Sequence, residues 1–572
     1  MNHHINEDRI TMVLRGVSFL VLGFVLATTA RAETPLESSF AGDYLASRSA
    51  SQLHDIGATI QYTHDALVYD QNNVVLNERL FQAQVMAGDI AKAEPLATQV
   101  IKANSQHRMA RLVLGLKEFH ARRYSEARDN FNEAAYTPLG ELTSALLSAW
   151  SYAGEGSVNA ALHELDKLDG QEAFANYKAF HSALIADFLG SSMRAEPAYK
   201  KAYDLAPNSL RIVQGYGNFL ERNGHKDQAI KIYQAYLADG QRDILVRNAL
   251  DKATGTAKPL PFVGSAAAGA GEVLFSLAGA LNGDQNSDSA LMYSQLAVGL
   301  SADKPVILTT VGGAQADLKD YEASNKTYDQ IPKDSVLRNY ADTQIAVNLQ
   351  RDGKNPEAIA KLKAVLAQDP KNYDALVTLG SIYRATEDFP KAEDAFTQAL
   401  QLLSPDDANA WKLYYDRGIA FDRAKEFDKA EVDFRKALAL SKDDPAVLNY
   451  LGYSMIDRGV HLDEAMTMIK KAVDLKPNDG FIVDSLGWAY YTLRDYEQAV
   501  NYCERAVDLN PADPIISEHL GDAYWRAGRK LEAQFEWNHA RANHPDKDDL
   551  TRIEGKIKSG LVDEPAIAPK KG

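Results

Sequence analysis

The side chains that most often carry chemistry, histidine and cysteine, are few in this sequence and stand apart. His539 and His544 are separated by five positions, so on one helix they point in different directions and do not form a metal-binding pair. Cys503 is the single cysteine, which excludes an intramolecular disulfide and any multi-cysteine metal site. It stands at a position where comparable stretches of the sequence have a large packing residue, which indicates a buried small hydrophobe rather than a reactive thiol. We therefore expect no metal site.

Carboxylate and glycine clusters do not supply a catalytic centre either. Asp443 and Asp444 fall in a predicted loop, where solvation and helix capping account for them. The glycines of residues 264–271 lack the strand-turn-helix context and the Lys-Ser/Thr ending of a phosphate-binding loop. The motifs H-E-x-x-H and G-x-S-x-G are absent. We predict that the chain is not an enzyme and uses no cofactor.

Composition narrows the class of protein further. The chain has 572 residues, of which 45% are apolar and 24% charged, so it can bury a core. Its formal net charge is −16, which argues against nucleic acid as a partner because phosphate binding needs clustered Lys and Arg. The acidic balance favours solubility and basic or apolar partners.

The C-terminal half of the chain repeats itself. The stretch LGDAYWRAGRKLEAQFEWNHARANHP, residues 520–545, follows LGWAYYTLRDYEQAVNYCERAVDLNP, residues 486–511, at an offset of 34 residues. With Gly521 numbered position 8 of a 34-residue repeat, small residues recur at positions 8, 20 and 27, a large residue at position 24 and Pro near position 32. Position 8 is glycine in five successive units: Gly380, Gly418, Gly452, Gly487 and Gly521.

The same period continues upstream in weaker copies. Position 8 is filled in turn by Ala346, Val311, Ala278 and, after an interruption, Gly217, Ala183, Ala149, Gly115, Phe81 and Ser47. Apolar residues spaced i, i+3, i+4 and i+7 indicate helices rather than strands. We predict about fourteen units, each a hairpin of two helices, because a period of this length is typical of helical repeat arrays.

Steric fit explains the pattern. Small residues at positions 8, 20 and 27 let the two helices of a hairpin approach closely, and large residues are expected to fill the gaps between neighbouring hairpins. Pro near position 32 ends the second helix because it lacks an N–H and clashes with the preceding turn. Stacked hairpins would form a curved rod whose inner wall remains free as a docking surface.

The pattern resembles that of the tetratricopeptide repeat family, most closely between Leu379 and Pro545. The resemblance implies an all-α superhelical solenoid, here of hairpins in two segments. It also implies that positions 2, 5, 9, 12 and 13 of each first helix line a concave groove. At these positions the last four units present our candidate partner-binding residues: Tyr415, Arg423, Asn449, Tyr453, Phe481, Asp484, Trp488, Tyr491, Glu518, Asp522, Trp525 and Arg526.

These groove residues are mostly aromatic or acidic, which sets the expected partner class. Aromatic side chains are frequent energetic centres of interfaces, and the acids favour a basic or amide-rich segment. Some members of the family clamp a terminal carboxylate with Lys at position 5, but that position here holds Val377, Tyr415, Asn449, Asp484 and Glu518. The clamp is therefore absent. The competing interpretation is that Trp488, Tyr491 and Trp525 merely pack between hairpins.

The N-terminus reads as a secretory signal. Arg15 precedes an apolar run from Val17 to Ala27, and Ala30-Arg31-Ala32 matches a cleavage site, so we expect cleavage after Ala32 and a periplasmic protein. The alternative is an uncleaved segment that anchors the chain in the inner membrane. Met12 offers an alternative start to Met1 with a shorter, more conventional leader.

We expect five parts along the chain. They are a signal peptide (1–32), an N-terminal repeat segment (33–240), a Pro/Gly/Ala-rich joint (241–271), a C-terminal repeat segment (272–545) and a capping helix with a disordered tail (546–572).

The resemblance to long exported repeat proteins of Gram-negative bacteria suggests a non-catalytic scaffold for protein–protein interactions in the cell envelope. One alternative is a periplasmic scaffold for polysaccharide or lipopolysaccharide export and assembly, which would need a separate outer-membrane partner. A third interpretation is a repeat arm associated with a glycosyltransferase, although the large catalytic domain of that class is missing from the sequence.

Overall fold

The structure, a computed structural model, describes residues 39–561 except 239–242, 257, 282–285, 302, 405 and 406. This described part contains thirty α-helices and no strand, which confirms the all-α prediction. The predicted signal peptide and the predicted disordered tail lie outside the described residues. Two compact units divide the described chain, an N-terminal unit of residues 39–361 and a C-terminal unit of residues 362–561.

The N-terminal unit begins with six helical hairpins, followed by one single helix and further hairpins. Its helices are α1 (Phe40–Gln52), α2 (Ile56–Tyr69), α3 (Val74–Met86), α4 (Ile90–Ala103), α5 (Arg108–His120), α6 (Tyr124–Glu133), α7 (Pro138–Gly154), α8 (Val158–Leu165), α9 (Ala175–Phe188), α10 (Ser192–Leu205), α11 (Leu210–Arg222), α12 (Lys226–Ala238), α13 (Ile244–Thr254), α14 (Ala266–Leu281), α15 (Ser287–Val298), α16 (Lys304–Asp317), α17 (Tyr321–Asp329) and α18 (Arg338–Arg351).

The helix α19 (Asn355–Gln368) contains the boundary between the units. The C-terminal unit continues with five more hairpins and a final single helix. Its helices are α20 (Tyr373–Ala385), α21 (Phe389–Gln401), α22 (Trp411–Arg423), α23 (Phe427–Ser441), α24 (Pro445–Arg458), α25 (Leu462–Leu475), α26 (Gly480–Thr492), α27 (Tyr496–Leu509), α28 (Pro514–Arg526), α29 (Lys530–Ala542) and α30 (Lys547–Ser559). Fourteen hairpins result over the described residues, as the repeat count predicted.

The turns inside the hairpins share a backbone form wherever they are described, except that the turn between α24 and α25 has two residues with positive φ, Gly459 and His461. One residue with positive φ follows the first helix, and in the first six hairpins these residues recur at intervals of 34: His54, Gly88, Arg122, Gly156, Gly190 and Gly224. The left-handed conformation ends a helix and reverses the chain within a few residues. The 34-residue period is therefore visible in the backbone as well as in the packing.

The hairpins with glycine at position 8 close where that glycine meets the residue at position 24 of the second helix. A methyl group added to Gly521 would lie 2.5 Å from the Trp537 ring, and one on Gly418 would lie 2.7 Å from Phe434. The steric explanation of the pattern is thus confirmed, with one correction. The large residue packs across its own hairpin, whereas we had expected it to fill gaps between hairpins, because position 24 directly faces position 8 on the partner helix.

Proline ends the second helices as predicted. The helix α25 stops at Leu475 before Pro477, and α27 stops at Leu509 before Pro511. The residue before a proline is pushed out of the helical region, so the chain turns toward the next hairpin.

The N-terminal unit does not keep its inner wall free. The hairpin of α14 and α15 packs on helices far away in sequence: α14 contacts α7 and α9, and α15 contacts α3. Most of α7 is buried, on every side, which is typical of a helix enclosed by others. Our expectation of a free concave wall is therefore wrong for this unit, because its own apolar hairpin covers the first helices.

Small residues and a buried ion pair hold this hairpin in place. A methyl group on Gly269 of α14 would lie 2.3 Å from the Trp150 ring of α7, so the two helices meet at a glycine. The Arg211 guanidinium donates two hydrogen bonds to the Glu272 carboxylate, at 2.8 and 2.6 Å. The Gln295 side-chain amide donates to the Met86 carbonyl at 3.1 Å. These contacts join α14 and α15 to the repeats that precede them.

The predicted joint at 241–271 contains more helix than we expected. The helix α13 and the first residues of α14 lie within it, and α13 packs on α11 and α12. The separation into two repeat segments at this joint stays a prediction. No helix among the described residues is both long and apolar enough to cross a bilayer.

Candidate functional site

All the candidate groove residues lie on the first helices of the last four hairpins, α22, α24, α26 and α28. Successive first helices pack on one another, α24 on α26 and α26 on α28, so their side chains meet across hairpin boundaries. We call the surface formed by the twelve candidate residues the C-terminal groove. Its members divide into an aromatic group, an acidic group and peripheral residues.

The centre of the aromatic group is Trp488 on α26. Its ring stacks on Tyr491 one turn later, with centroids 4.7 Å apart and planes 13° apart. It also stacks on His519 of the next first helix, with centroids 4.1 Å apart and planes 22° apart. Both predicted aromatics are half-buried. The packing interpretation therefore accounts for part of each ring, and the remaining part is open to solvent.

His519 connects this stack to the acid Asp484. Its Nδ1 lies 2.8 Å from Asp484 Oδ2, and both side chains are nearly buried. Burial by itself lowers the pKa of His519, but the neighbouring carboxylates of Asp484, Asp522 and Glu518 outweigh it and raise the pKa above its ordinary value. The other oxygen of Asp484 is buried without a hydrogen-bond partner among the described residues.

The two acids of the last hairpin are covered by the final helix α30. The Glu518 side chain is 1% exposed and accepts two hydrogen bonds from Arg552, at 2.7 and 2.6 Å. The Asp522 side chain is 4% exposed, and accepts hydrogen bonds from Lys556 at 2.6 Å and from the Trp537 indole at 2.9 Å. These two acids belong to the groove by position, but the side chains of α30 lie over them.

Aromatic packing continues toward α22. Tyr415 meets Tyr450 edge to face, with ring centroids 5.9 Å apart, and contacts Phe434 at 6.0 Å. Tyr453 is half-buried, and burial raises the pKa of its phenol. Asn449 lies between these rings in sequence, and its side-chain oxygen is buried without a hydrogen-bond partner in the described part of the chain.

The remaining candidates lie at the margins. The Phe481 side chain at the start of α26 is 44% exposed. Arg423 is exposed, with its guanidinium 3.6 Å from Glu387. Trp525 is half-buried against Trp537, with ring centroids 5.3 Å apart, and Arg526 follows it at the end of α28. The structure thus brings Asp484, Trp488 and Tyr491 together and leaves Phe481 and Arg423 apart from them.

Three groove residues escaped the sequence analysis: His519, Arg552 and Lys556. No role was assigned to His519 from the sequence, and the final helix was predicted only as a cap. The signal for the other two was present, because Arg552 and Lys556 follow Glu518 and Asp522 by one 34-residue period. The spacing of Gly521 and Gly555 carries the same phase into α30.

Residues considered for chemistry occupy structural positions. Cys503 is buried against Gly487, and burial raises the pKa of its thiol well above the ordinary value, so it is a poor nucleophile. In the part of the chain that is described, no group of three or more His, Cys, Asp or Glu side chains is arranged to hold a metal ion.

Sequence comparisons identify the repeats. Profiles of the tetratricopeptide repeat match residues 371–443, 79–140, 485–545 and 194–253. A TPR repeat-containing protein of Pseudomonas aeruginosa is 27% identical over 144 residues, which are 25% of this chain and 24% of that protein. The general transcriptional corepressor ssn6 of Schizosaccharomyces pombe is 35% identical over 98 residues, 17% of this chain and 9% of that protein. The matched part therefore spans a quarter or less of these relatives.

Solved structures show distant likeness. The Cut9–Hcn1 hetero-tetramer of the APC/C is 14% identical, with 92% of this chain and 97% of that chain covered and a TM-score of 0.39. PilW, a type IV pilus biogenesis factor, is 20% identical, with 38% and 98% covered and a TM-score of 0.34. Residues 79–140, 194–253, 371–443 and 485–545 of this chain are therefore tetratricopeptide repeats.

Proposed function

We propose that this chain is a non-catalytic scaffold of the bacterial cell envelope that binds segments of partner proteins in the C-terminal groove. Tetratricopeptide repeats are non-enzymatic scaffolds that bind proteins or peptides, which supports the general class. The proposed partners are protein or peptide segments of apolar or basic character.

The observation that carries this proposal is the half-buried stack of Trp488 with Tyr491 and His519. Aromatic rings held in place by their neighbours lose little freedom on binding, and such rings dominate the energy of many interfaces. The inner faces of the N-terminal repeats are covered by α14 and α15, which favours the C-terminal groove as the docking surface.

The test is a crosslinking pull-down from the periplasm with the full-length chain. We expect Trp488→Ala combined with Phe481→Ala to lose most of the captured partners, because the ring at the centre of the stack and the exposed Phe481 ring are both removed. Phe535→Ala is the matched control, since Phe535 is 70% exposed on α29, the second helix of its hairpin. Equal partner recovery by wild type and the double variant, both folded by circular dichroism, would refute the groove.

The envelope location rests on the N-terminal sequence alone, from the apolar run Val17 to Ala27 and the Ala30-Arg31-Ala32 site. We expect N-terminal sequencing of the protein from a periplasmic extract to begin at Glu33. A protein that fractionates with the inner membrane and keeps residues 12–32 would instead be anchored by that segment.

A further inference from the structure

The final helix α30 occupies the place of a first helix in a fifteenth repeat. Gly555 follows Gly521 by one period, and a methyl group on Gly555 would meet nothing within 4 Å, because no second helix packs on it among the described residues. The face that would receive such a helix carries Thr551, Glu554 and Lys558, all exposed. The helix α30 therefore adds a further first helix to the groove. Among the described residues, no second helix packs on its outer face.

This placement puts two basic side chains at groove positions. Arg552 stands at position 5, one period after Glu518, and Lys556 at position 9, one period after Asp522. In every other first helix of the groove, these positions hold an uncharged or acidic residue. From α22 to α30, positions 5 and 9 of the first helices therefore hold a basic residue in α30 alone.

The contacts show that these bases neutralise the groove acids. Arg552 binds Glu518 through two nitrogens, a geometry that fixes both side chains. Lys556 lies 2.6 Å from Glu518 and 2.6 Å from Asp522, so it bridges the two carboxylates. Burial tends to raise the pKa of Glu518, but Arg552 and Lys556 lower it, which keeps this acid ionised and paired.

Charge balance then determines what the groove can attract. Glu518 and Asp522 contact the cations Arg552 and Lys556, and Asp484 is engaged by His519, so each of the three groove acids has a basic partner. Arg552 also pairs with Asp549 of α30. A basic segment would gain little from acids that are already paired and nearly inaccessible, because it would have to displace their present partners. The surface left for a ligand is the aromatic group and the side chain of Arg552, which is 48% exposed.

We propose that Arg552 and Lys556 are specificity-determining residues that make the C-terminal groove select uncharged, apolar segments over basic ones. This inference rests on the proposed docking function of the groove. Without the two cations, Glu518 and Asp522 would present uncompensated negative charge to a ligand. Without the two acids, the cations would present positive charge.

A randomised twelve-residue peptide library displayed on phage, selected against the full-length chain, tests this directly. For wild type we expect enrichment of Leu, Ile, Phe and Trp, with Lys and Arg no more frequent than in the unselected library. Selected peptides should bind with an affinity that changes less than about threefold between 50 and 500 mM salt, because screening weakens only charged contacts. Enrichment of Lys and Arg on wild type would overturn the proposal.

Two charge variants reverse the expected preference. Arg552→Gln with Lys556→Gln should enrich Lys and Arg at least about twofold, since unpaired acids attract cations. Glu518→Gln with Asp522→Asn keeps the bases and should enrich Asp and Glu instead. If the first pair fails to fold, the second still tests the idea. Folded variants with wild-type selectivity would show that the cap residues only stabilise the fold.

The same library separates this inference from the proposed function. Trp488→Ala with Phe481→Ala should enrich no peptide above an unrelated control protein. If wild type enriches none either, the docking function itself is wrong. If wild type enriches peptides whose composition the charge variants do not alter, docking stands and the assigned role of Arg552 and Lys556 falls.

Discussion

At the scale of single residues, the absence of a side chain decides how closely a hairpin with glycine at position 8 can close. The Trp537 ring fills the space that a methyl group on Gly521 would need, and the Phe396 ring does the same at Gly380. Closely packed interiors tolerate such overlap only by moving side chains or backbone. Gly555 has the same position in the repeat but open space beside it, which makes it a natural comparison.

We expect Gly521→Ala to lower the free energy of unfolding by about 1–3 kcal/mol, the usual cost of overpacking a core. Gly555→Ala should raise it by up to about 1 kcal/mol, because alanine loses less backbone entropy than glycine in a helix. Urea unfolding followed by circular dichroism measures both. Two changes of the same sign would contradict the steric account of position 8.

The ion pair of His519 with Asp484 predicts a pH dependence. The pKa of His519 is above its ordinary value in the fold, so the folded chain binds a proton that the unfolded chain has released. Its contribution to stability is complete below pH ~6.5 and is lost as the pH rises through the folded pKa.

We therefore expect the difference in free energy of unfolding between wild type and His519→Gln to shrink as the pH rises from 6 to about 9, once the proton is lost. In an NMR titration, the imidazole resonance of His519 should shift with a midpoint above the ordinary pKa of histidine. A midpoint below that value would show that burial outweighs the carboxylates.

At the scale of elements, a buried ion pair is one of the contacts that hold the hairpin of α14 and α15 in place. Arg211 of α11 and Glu272 of α14 are joined by two hydrogen bonds, and the guanidinium lies 4.5 Å from the centroid of the Phe262 ring. A buried charge that loses its partner is costly, whereas an apolar pair of similar volume often is not.

We expect Glu272→Gln to lower the free energy of unfolding by about 3–5 kcal/mol, since it leaves Arg211 buried without a counter-charge. Arg211→Met combined with Glu272→Leu should cost much less than Glu272→Gln. As a control, Glu322→Gln breaks the exposed pair with Lys326 and should leave the free energy of unfolding nearly unchanged, because solvent screens such a pair. Calorimetry of the four proteins distinguishes these outcomes.

At the scale of the molecule, the two units are built on different patterns of contact. In the C-terminal unit each hairpin packs chiefly on its sequence neighbours, the arrangement of a linear repeat array. In the N-terminal unit α14 and α15 connect back to α3, α7 and α9, so distant repeats share one core. In such a core, loss of packing in one repeat destabilises the distant repeats that contact it, and not just its neighbours in sequence.

Hydrogen exchange measured by mass spectrometry should show this difference. Trp150→Ala removes a fully buried ring that touches both α9 and α14, and should speed exchange in both helices although they are distant in sequence. Trp537→Ala removes an equally buried ring from the last hairpin, and faster exchange should stay within α28 to α30 and their neighbour α27. If faster exchange in the Trp150→Ala variant stayed within α7 and α8, the idea of a shared core would be wrong.

Much of the architecture was readable from the sequence because it depends on local rules. Glycine at position 8, a large residue at position 24 and proline near position 32 act within one hairpin, so they recur with the period and predict helices, turns and number of repeats. The same local logic placed Trp488 and Tyr491 on one first helix, where their rings stack. It missed Arg552 and Lys556, because the repeat was taken to end at Pro545.

What only the tertiary structure decided are the contacts between residues far apart in the chain. No periodic signal places Glu272 beside Arg211, or α14 against α7, since these contacts depend on how successive hairpins curve and which surfaces that curvature brings together. For the same reason, the acids Glu518 and Asp522 read as free groove charges in the sequence and are covered by α30 in the structure. Local packing determines how a repeat contacts the adjacent repeats. Whether its inner face is open depends on which helices from distant parts of the chain pack on that face.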